Sequence, residues 1–182
     1  MLEIKTPSYQ FGAPLHPDFP QTEALVGVIM GSRSDWPSMM SCTHMLEDLQ
    51  IPFEFGVVSA HRTPGRMTDY ASQAQLRGLR VIIACAGGSA HLPGMTASET
   101  LLPVLGVAPK KTDAAAIGSM IEMPEGIPLA YLGGGSEPYR NAGAVNAALM
   151  AARILALSDP DLAERIKSHR EQLEKSVAFT CF

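Results

Sequence analysis

The chain alternates between short apolar runs and segments whose apolar residues recur at helical spacing. The runs show no polar alternation, which is typical of strands buried on both faces of a parallel sheet. Five of them predict β-strands: Leu25–Met30, Phe53–Val58, Arg80–Ala84, Pro103–Val107 and Pro128–Leu132.

The intervening and following segments predict six helices. Proline or Asp-Pro pairs suit the first turns of three of them, and Gly78 follows the second as a stop signal. The predicted helices are Pro37–Leu49, Pro64–Arg77, Gly94–Leu101, Asp113–Met120, Ala142–Leu157 and Asp159–Ala178. Strands alternating with helices through short loops predict an α/β domain with a parallel sheet covered on both faces. We expect one such domain, residues 23–182, after an N-terminal arm of residues 1–22.

The last two predicted helices differ in character. In Ala142–Leu157 only Asn146 and Arg153 interrupt an otherwise apolar circumference. A helix of this kind must be buried all round, and a small domain can rarely bury both sides of a peripheral helix. We therefore expect one side to contact another subunit. The helix after Asp159 has a single apolar stripe, which fits packing on its own domain or on a neighbour.

Composition and charge exclude several classes of function. The net charge of -4 and the isoelectric point near 5.7 provide no basic surface for nucleic acid. No uninterrupted apolar stretch is long enough to span a bilayer. The three cysteines form no CxxC pair, and their odd number argues against a disulfide framework. We expect a protein of the reducing cytoplasm.

Three polar segments follow three of the predicted strands: Gly31–Asp35, Ser59–Pro64 and Ala86–Gly94. The carboxyl ends of parallel strands lie at one edge of a sheet, where open α/β folds bind their ligands. The segments are therefore expected to meet.

Gly31–Asp35 offers a glycine, hydroxyl groups and the free amides of a helix start, a combination that favours a phosphate. The alternative is that Ser34 or Asp35 only caps the helix. The segment matches neither a P-loop nor a GxGxxG motif.

His61 and Arg62 pair a group that titrates near neutral pH with a permanent cation. This pairing suggests acid–base chemistry on an anionic substrate, although His61 could also be a structural histidine. His91 follows the pair Gly87-Gly88, whose backbone permits close approach of a flat ring. His91 could contact the ring of a substrate or anchor its own loop. Cys85 is expected to be a buried, inert thiol.

Five segments in order and spacing resemble the PurE family, and within it the class I N5-carboxyaminoimidazole ribonucleotide mutases. The segments are Met30–Trp36, Ser59–Pro64, Ala86–Met95, Leu102–Val107 and Met123–Gly126. The resemblance implies a flavodoxin-like three-layer α/β/α fold assembled as an octamer. It also implies an isomerase of purine biosynthesis that moves a carboxylate from the exocyclic nitrogen of an imidazole ribonucleotide to ring carbon C4, without metal or cofactor.

The resemblance also assigns roles to individual residues. His61 would be the general acid and base, Ser32 and Arg62 would bind the substrate phosphate with help from Ser34, and Asp35 would hold ribose hydroxyls. The imidazole and carboxylate would be surrounded by Ser59, Gly87, Gly88, Ser89, His91 and Leu92.

The chain departs from the family pattern at several positions. Cys85 and Ser89 replace a glycine and an alanine, and the segments 108–111, 121–122 and 133–140 differ from the usual sequence. These departures keep three alternatives open. The protein could carboxylate aminoimidazole ribonucleotide directly with free carbon dioxide, act on a related ribonucleotide, or bind a nucleotide without turnover.

Overall fold

A computed structural model describes residues 17–110, 114–135 and 140–177 of the chain. Its centre is a five-stranded sheet in which all pairs are parallel, with the strand order β2-β1-β3-β4-β5. The strands are β1 (Val26–Met30), β2 (Phe53–Val57), β3 (Val81–Cys85), β4 (Val104–Ala108) and β5 (Ala130–Gly134). The predicted parallel α/β sheet is confirmed.

Helices cover both faces of the sheet. They are α1 (Trp36–Asp48), α2 (Pro64–Arg77), α3 (His91–Ser98), α4 (Ala114–Ile121), α5 (Ala142–Leu155) and α6 (Pro160–Ser176). One apolar layer packs α1, α5 and the start of α6 on the sheet, and the other layer packs α2, α3 and α4. The central strands β1, β3 and β4 are buried along their whole length, which explains their uninterrupted apolar sequences.

Two elements are shifted relative to the sequence prediction, α3 by three residues toward the N-terminus and β5 by two residues toward the C-terminus. Helix α3 begins at His91 instead of Gly94, so Pro93 lies in the first helical turn, where a missing amide hydrogen is tolerated. Strand β5 continues through Gly133 and Gly134, beyond its predicted end at Leu132. The backbone of these glycines lies against Gly143 of α5, and this close approach explains why a strand end carries glycine here.

Helix α5 buries one face and exposes the other within the described part of the chain. Five of its alanines, among them Ala147 and Ala151, are fully buried, whereas Met150 is 38% exposed. Asn141 caps the helix by accepting from the Ala144 amide at 3.2 Å, and donates to the Ala108 carbonyl at 3.0 Å. The predicted subunit contact on the outer face stays a prediction. Helix α6 packs on its own domain through Leu162, and its C-terminal half is exposed.

Residues 17–22 of the predicted arm lie beside α2. The Arg77 guanidinium donates to the Pro20 carbonyl at 2.9 Å and contacts Glu54 at 2.5 Å, and Asp18 pairs with Arg66 at 3.2 Å. The remainder of the arm, residues 1–16, is outside the described residues. In the described ranges, no helix meets the length and apolar character that a membrane span requires.

Candidate active site

The three polar segments meet at one edge of the sheet, as predicted. Strands β2, β1 and β3 are direct neighbours, so the loops that follow them are adjacent in space. Together they enclose a cavity of about 430 Å³. Its lining contains Ser32, Ser34, Asp35, Ser59, His61, Arg62, Gly87, His91 and Leu92, nine of the residues expected from the sequence.

The first loop forms a single 3-10 turn, Arg33–Asp35, before α1. Ser32 caps this turn, because its Oγ accepts from the Ser34 amide at 3.3 Å and from the Ser34 hydroxyl at 3.0 Å. Asp35 precedes α1 but makes no side-chain capping bond. The alternative that Ser34 or Asp35 serves only as a helix cap therefore does not hold. The hydroxyls and carboxylate of this turn line the cavity instead.

The Asp35 carboxyl is partly buried at the floor of this loop. Burial raises its pKa above the usual value, and the Ser32 backbone, the Arg62 charge and the Ser34 hydroxyl only partly oppose that effect. A partly buried carboxylate has lost some of its hydrating water, so a ligand hydroxyl that donates a hydrogen bond to it stabilises its charged form. Asp35 is thus suited to hold a polyhydroxyl group such as a sugar.

The second loop is locked by reciprocal bonds between Ser59 and Thr63. The Ser59 amide donates to Thr63 Oγ1 at 3.1 Å, and that hydroxyl donates to the Ser59 carbonyl at 3.0 Å. Arg62 then joins two loops, since its Nη2 donates to the Gly31 carbonyl at 2.7 Å and its Nε to Ser59 Oγ at 3.3 Å. A guanidinium carries five N–H donors, so these two bonds leave donors for an anion. Arg62 is exposed at the mouth of the cavity beside the Ser32 turn.

The second and third loops are joined by their histidines. His61 Nε2 lies 2.7 Å from His91 Nδ1, and the two rings are perpendicular with centroids 4.8 Å apart. One ring nitrogen must donate and the other accept, so a single proton lies between the rings. His91 thus lines the cavity and holds the His61 ring, and its contact with a substrate stays a prediction.

The third loop turns sharply between β3 and α3. Gly88 has a φ of 61° and Ala90 a φ of 38°, both in the left-handed region. Gly88 and Ser89 are exposed and lie outside the residues that line the cavity, and their predicted contact with the substrate stays a prediction. They form the outside of the turn, whereas Gly87 and Ala90 form its inside.

Four cavity residues were not expected from the sequence: Gly31, Ala60, Ala86 and Ala90. Gly31 belonged to a segment already singled out, and its carbonyl binds Arg62. The three alanines carry no chemical signal, and only their place at the ends of β2 and β3 could have identified them.

Cys85 lies beneath the site at the end of β3. It is fully buried, and burial, together with the nearby Asp35 and Cys42, raises the pKa of its thiol well above the usual value. The expected burial of this thiol is confirmed, and the raised pKa disfavours the reactive thiolate. Within the three described ranges, no three His, Cys, Asp or Glu side chains are grouped as metal ligands would be.

Comparison with known proteins agrees with this geometry. The family model for AIR carboxylase matches residues 25–176. The chain is 48% identical over 159 residues to the N5-carboxyaminoimidazole ribonucleotide mutase of Bacillus subtilis, covering 85% of this chain and 94% of that protein. It is 49% identical over 157 residues to the Pseudomonas aeruginosa mutase, covering 85% and 93%.

A solved structure of Treponema denticola PurE superposes with a TM-score of 0.73 at 27% identity, covering 84% of this chain and 93% of that one. The residues that match the family model contain all three loops of the cavity. The chain belongs to the AIR carboxylase family, also called PurE.

Proposed function

We propose that this protein is an N5-carboxyaminoimidazole ribonucleotide mutase. The observation that carries the proposal is the His61–His91 pair, which lies beside Arg62 and the Ser32 turn in one cavity of about 430 Å³. Mutases with 46–49% identity over more than four-fifths of the chain support the same activity. The domain of residues 23–182 would carry the activity, and residues 1–22 would form an appended arm.

The substrate would be oriented by its phosphate and ribose. Arg62 and the Ser32 and Ser34 hydroxyls form the cationic, donor-rich end of the cavity, which suits a phosphate. Asp35 lies next to this end and would accept bonds from ribose hydroxyls. The imidazole would then extend toward Ser59, Gly87 and the two histidines.

The reaction requires two proton transfers. Protonated His61 gives a proton to the exocyclic nitrogen, the N–carboxylate bond breaks, and its electron pair stays on that nitrogen as carbon dioxide forms. Ring carbon C4 attacks the trapped carbon dioxide through the electron-rich enamine. C4 then loses its hydrogen as a proton to neutral His61, which restores the aromatic ring and the starting protonation state. One imidazole therefore serves as the acid in the first step and as the base in the last.

His91 would control this proton before the substrate binds. Its 2.7 Å bond occupies His61 Nε2, so the shuttle nitrogen is held in one orientation inside the cavity. A substrate that replaces His91 as the partner of Nε2 would then find the His61 ring already in the orientation needed for proton transfer. Such preorganisation lowers the cost of reaching the reactive geometry.

The experiment is a substrate test with an isotope label. The carbamate ribonucleotide carrying ¹³C in its carboxylate is supplied in unlabelled bicarbonate, and the product is analysed by mass. The proposal predicts rapid conversion with the label retained, because the released carbon dioxide stays in the cavity. Turnover that requires aminoimidazole ribonucleotide and bicarbonate would replace this function by direct carboxylation. Binding without either conversion would leave a nucleotide-binding protein.

The chain is also proposed to form a homo-oligomer, an octamer as the resemblance implies. An apolar groove of about 920 Å³ lies between segments 101–105 and 123–130, and two outer residues of α5, Met150 and Ile154, complete its lining. A second copy would cover it. Light scattering should show that Met150→Asp lowers the molecular mass, whereas Leu76→Asp on α2, with a similar exposure of 41%, should not. A native protein of monomer mass would contradict the assembly.

A further inference from the structure

Ala90 has an unusual backbone for its residue type. Its φ of 38° and ψ of 41° lie in the left-handed region, where the Cβ of an L-residue crowds the following carbonyl. Its amide donates to the Gly87 carbonyl at 3.2 Å and closes a tight turn. The next residue, His91, is the first of α3, so the Ala90 conformation sets the direction in which the His91 ring leaves the backbone.

A glycine at this position would remove the strain, yet the chain has alanine. The methyl group explains this choice, because Ala90 is only 3% exposed and belongs to the apolar layer that also contains Ala60, Ala86 and Leu92. Strained residues persist where their surroundings determine the conformation, and they concentrate at functional sites. With glycine at position 90, the turn 87–90 would contain three glycines and no buried side chain to hold it.

The contact that depends on this turn is short and directional. His91 Nδ1 and His61 Nε2 are 2.7 Å apart with perpendicular rings, so a small rotation of His91 would break the bond. We propose that Ala90 is a positioning residue whose buried methyl holds a strained turn and thereby aims His91 at His61. This inference rests on the proposed mutase function and adds a residue of the cavity lining that acts on the proton transfer through His91.

The test compares two substitutions that relieve the same kind of strain. Ala90→Gly acts in the third loop, and Gln50→Gly acts at the exposed end of α1, where Gln50 has a φ of 54° and does not line the cavity. Both variants should melt no lower than the wild-type protein. Loosening the turn in Ala90→Gly should reduce kcat about tenfold with a smaller rise in KM, because catalytic groups are sensitive to small displacements. Gln50→Gly should keep both constants.

NMR spectroscopy tests the hydrogen bond of the histidine pair in the absence of substrate. The ¹⁵N shifts of the imidazoles report the hydrogen bond between His61 Nε2 and His91 Nδ1 in the unliganded protein. The bond signature should be present in the wild-type protein and in Gln50→Gly, and lost or averaged in Ala90→Gly.

Two results would overturn the positioning role. One is an Ala90→Gly protein that retains the signature and the wild-type kcat. The other is a variant that loses activity only in proportion to its unfolded fraction. A wild-type protein that does not convert the carbamate ribonucleotide would overturn the proposed function instead, and the NMR comparison would still decide whether Ala90 orients His91.

Discussion

Gly143 makes a backbone contact whose removal has a calculable effect on stability. A Cβ added to Gly143 would lie within 3.0 Å of Gly133 C, Gly133 O and Gly134 N. These are main-chain atoms of β5 and cannot rotate away, so either α5 or the strand must shift. Gly118 in α4 provides the matched control, because its added Cβ would meet nothing within 4 Å.

Both substitutions raise the helix propensity of their position, but only Gly143→Ala creates a steric clash. Alanine is favoured over glycine inside a helix by up to about 1 kcal/mol. Forcing a methyl into a packed contact costs about 1–3 kcal/mol, and a rigid neighbour places Gly143→Ala near the upper value. The net loss for Gly143→Ala is then about 2 kcal/mol, or about 4–8 °C in Tm for a chain of this size. Gly118→Ala should instead raise Tm by about 2 °C.

Thermal unfolding of both variants at one protein concentration measures this difference. A fixed concentration is needed because assembly would couple stability to protein concentration. If Gly143→Ala melted at or above the temperature of Gly118→Ala, the close packing of α5 against β5 would be wrong. The order of the two Tm values decides the question, since both variants gain the same methyl group.

Three further predictions concern polar side chains of the cavity and of the α2 layer. Asp35→Asn should raise stability at pH 7, because the raised pKa of Asp35 means that ionisation of this carboxyl opposes folding. The gain in stability should shrink as the pH falls toward 3.8, and thermal melts that show the same gain at every pH would refute this. Gly27→Ala places a Cβ under 3.0 Å from the Tyr70 hydroxyl. A double-mutant cycle with Tyr70→Phe, measured by urea unfolding, should therefore show a coupling free energy of about 1 kcal/mol. Additive losses of unfolding free energy in the two single variants would exclude the contact. Arg62→Ala should weaken calorimetric binding of the phosphorylated ligand far more than binding of the dephosphorylated one, and equal losses would remove its phosphate role.

The sequence predicted the elements whose signals are local. Helix α2 was predicted with the bounds that the structure has, because Pro64 suits its first turn and Gly78 adopts a φ of 115° at its end. The three central strands were identified because both of their faces are buried. Convergence of the three loops followed from parallel topology alone, since the carboxyl ends of adjacent strands share one edge.

The features that escaped prediction depend on tertiary contact. Strand β5 includes two glycines because α5 approaches its backbone, and no local signal reports that approach. The start of α3 at His91 depends on the left-handed conformation of Ala90, a residue type for which this conformation is rare. The sequence therefore indicated that His61 and His91 belong to one site, but not that they share a hydrogen bond.

The most direct test of the account is conversion of the carbamate ribonucleotide by His61→Asn, with calorimetric binding of the product measured on the same protein. The matched control is His44→Asn, at an exposed position of α1 outside the cavity lining. We expect His61→Asn to bind the ribonucleotide without converting it, and His44→Asn to do both. Conversion by His61→Asn at the control rate would contradict the assignment of this ring as the proton shuttle.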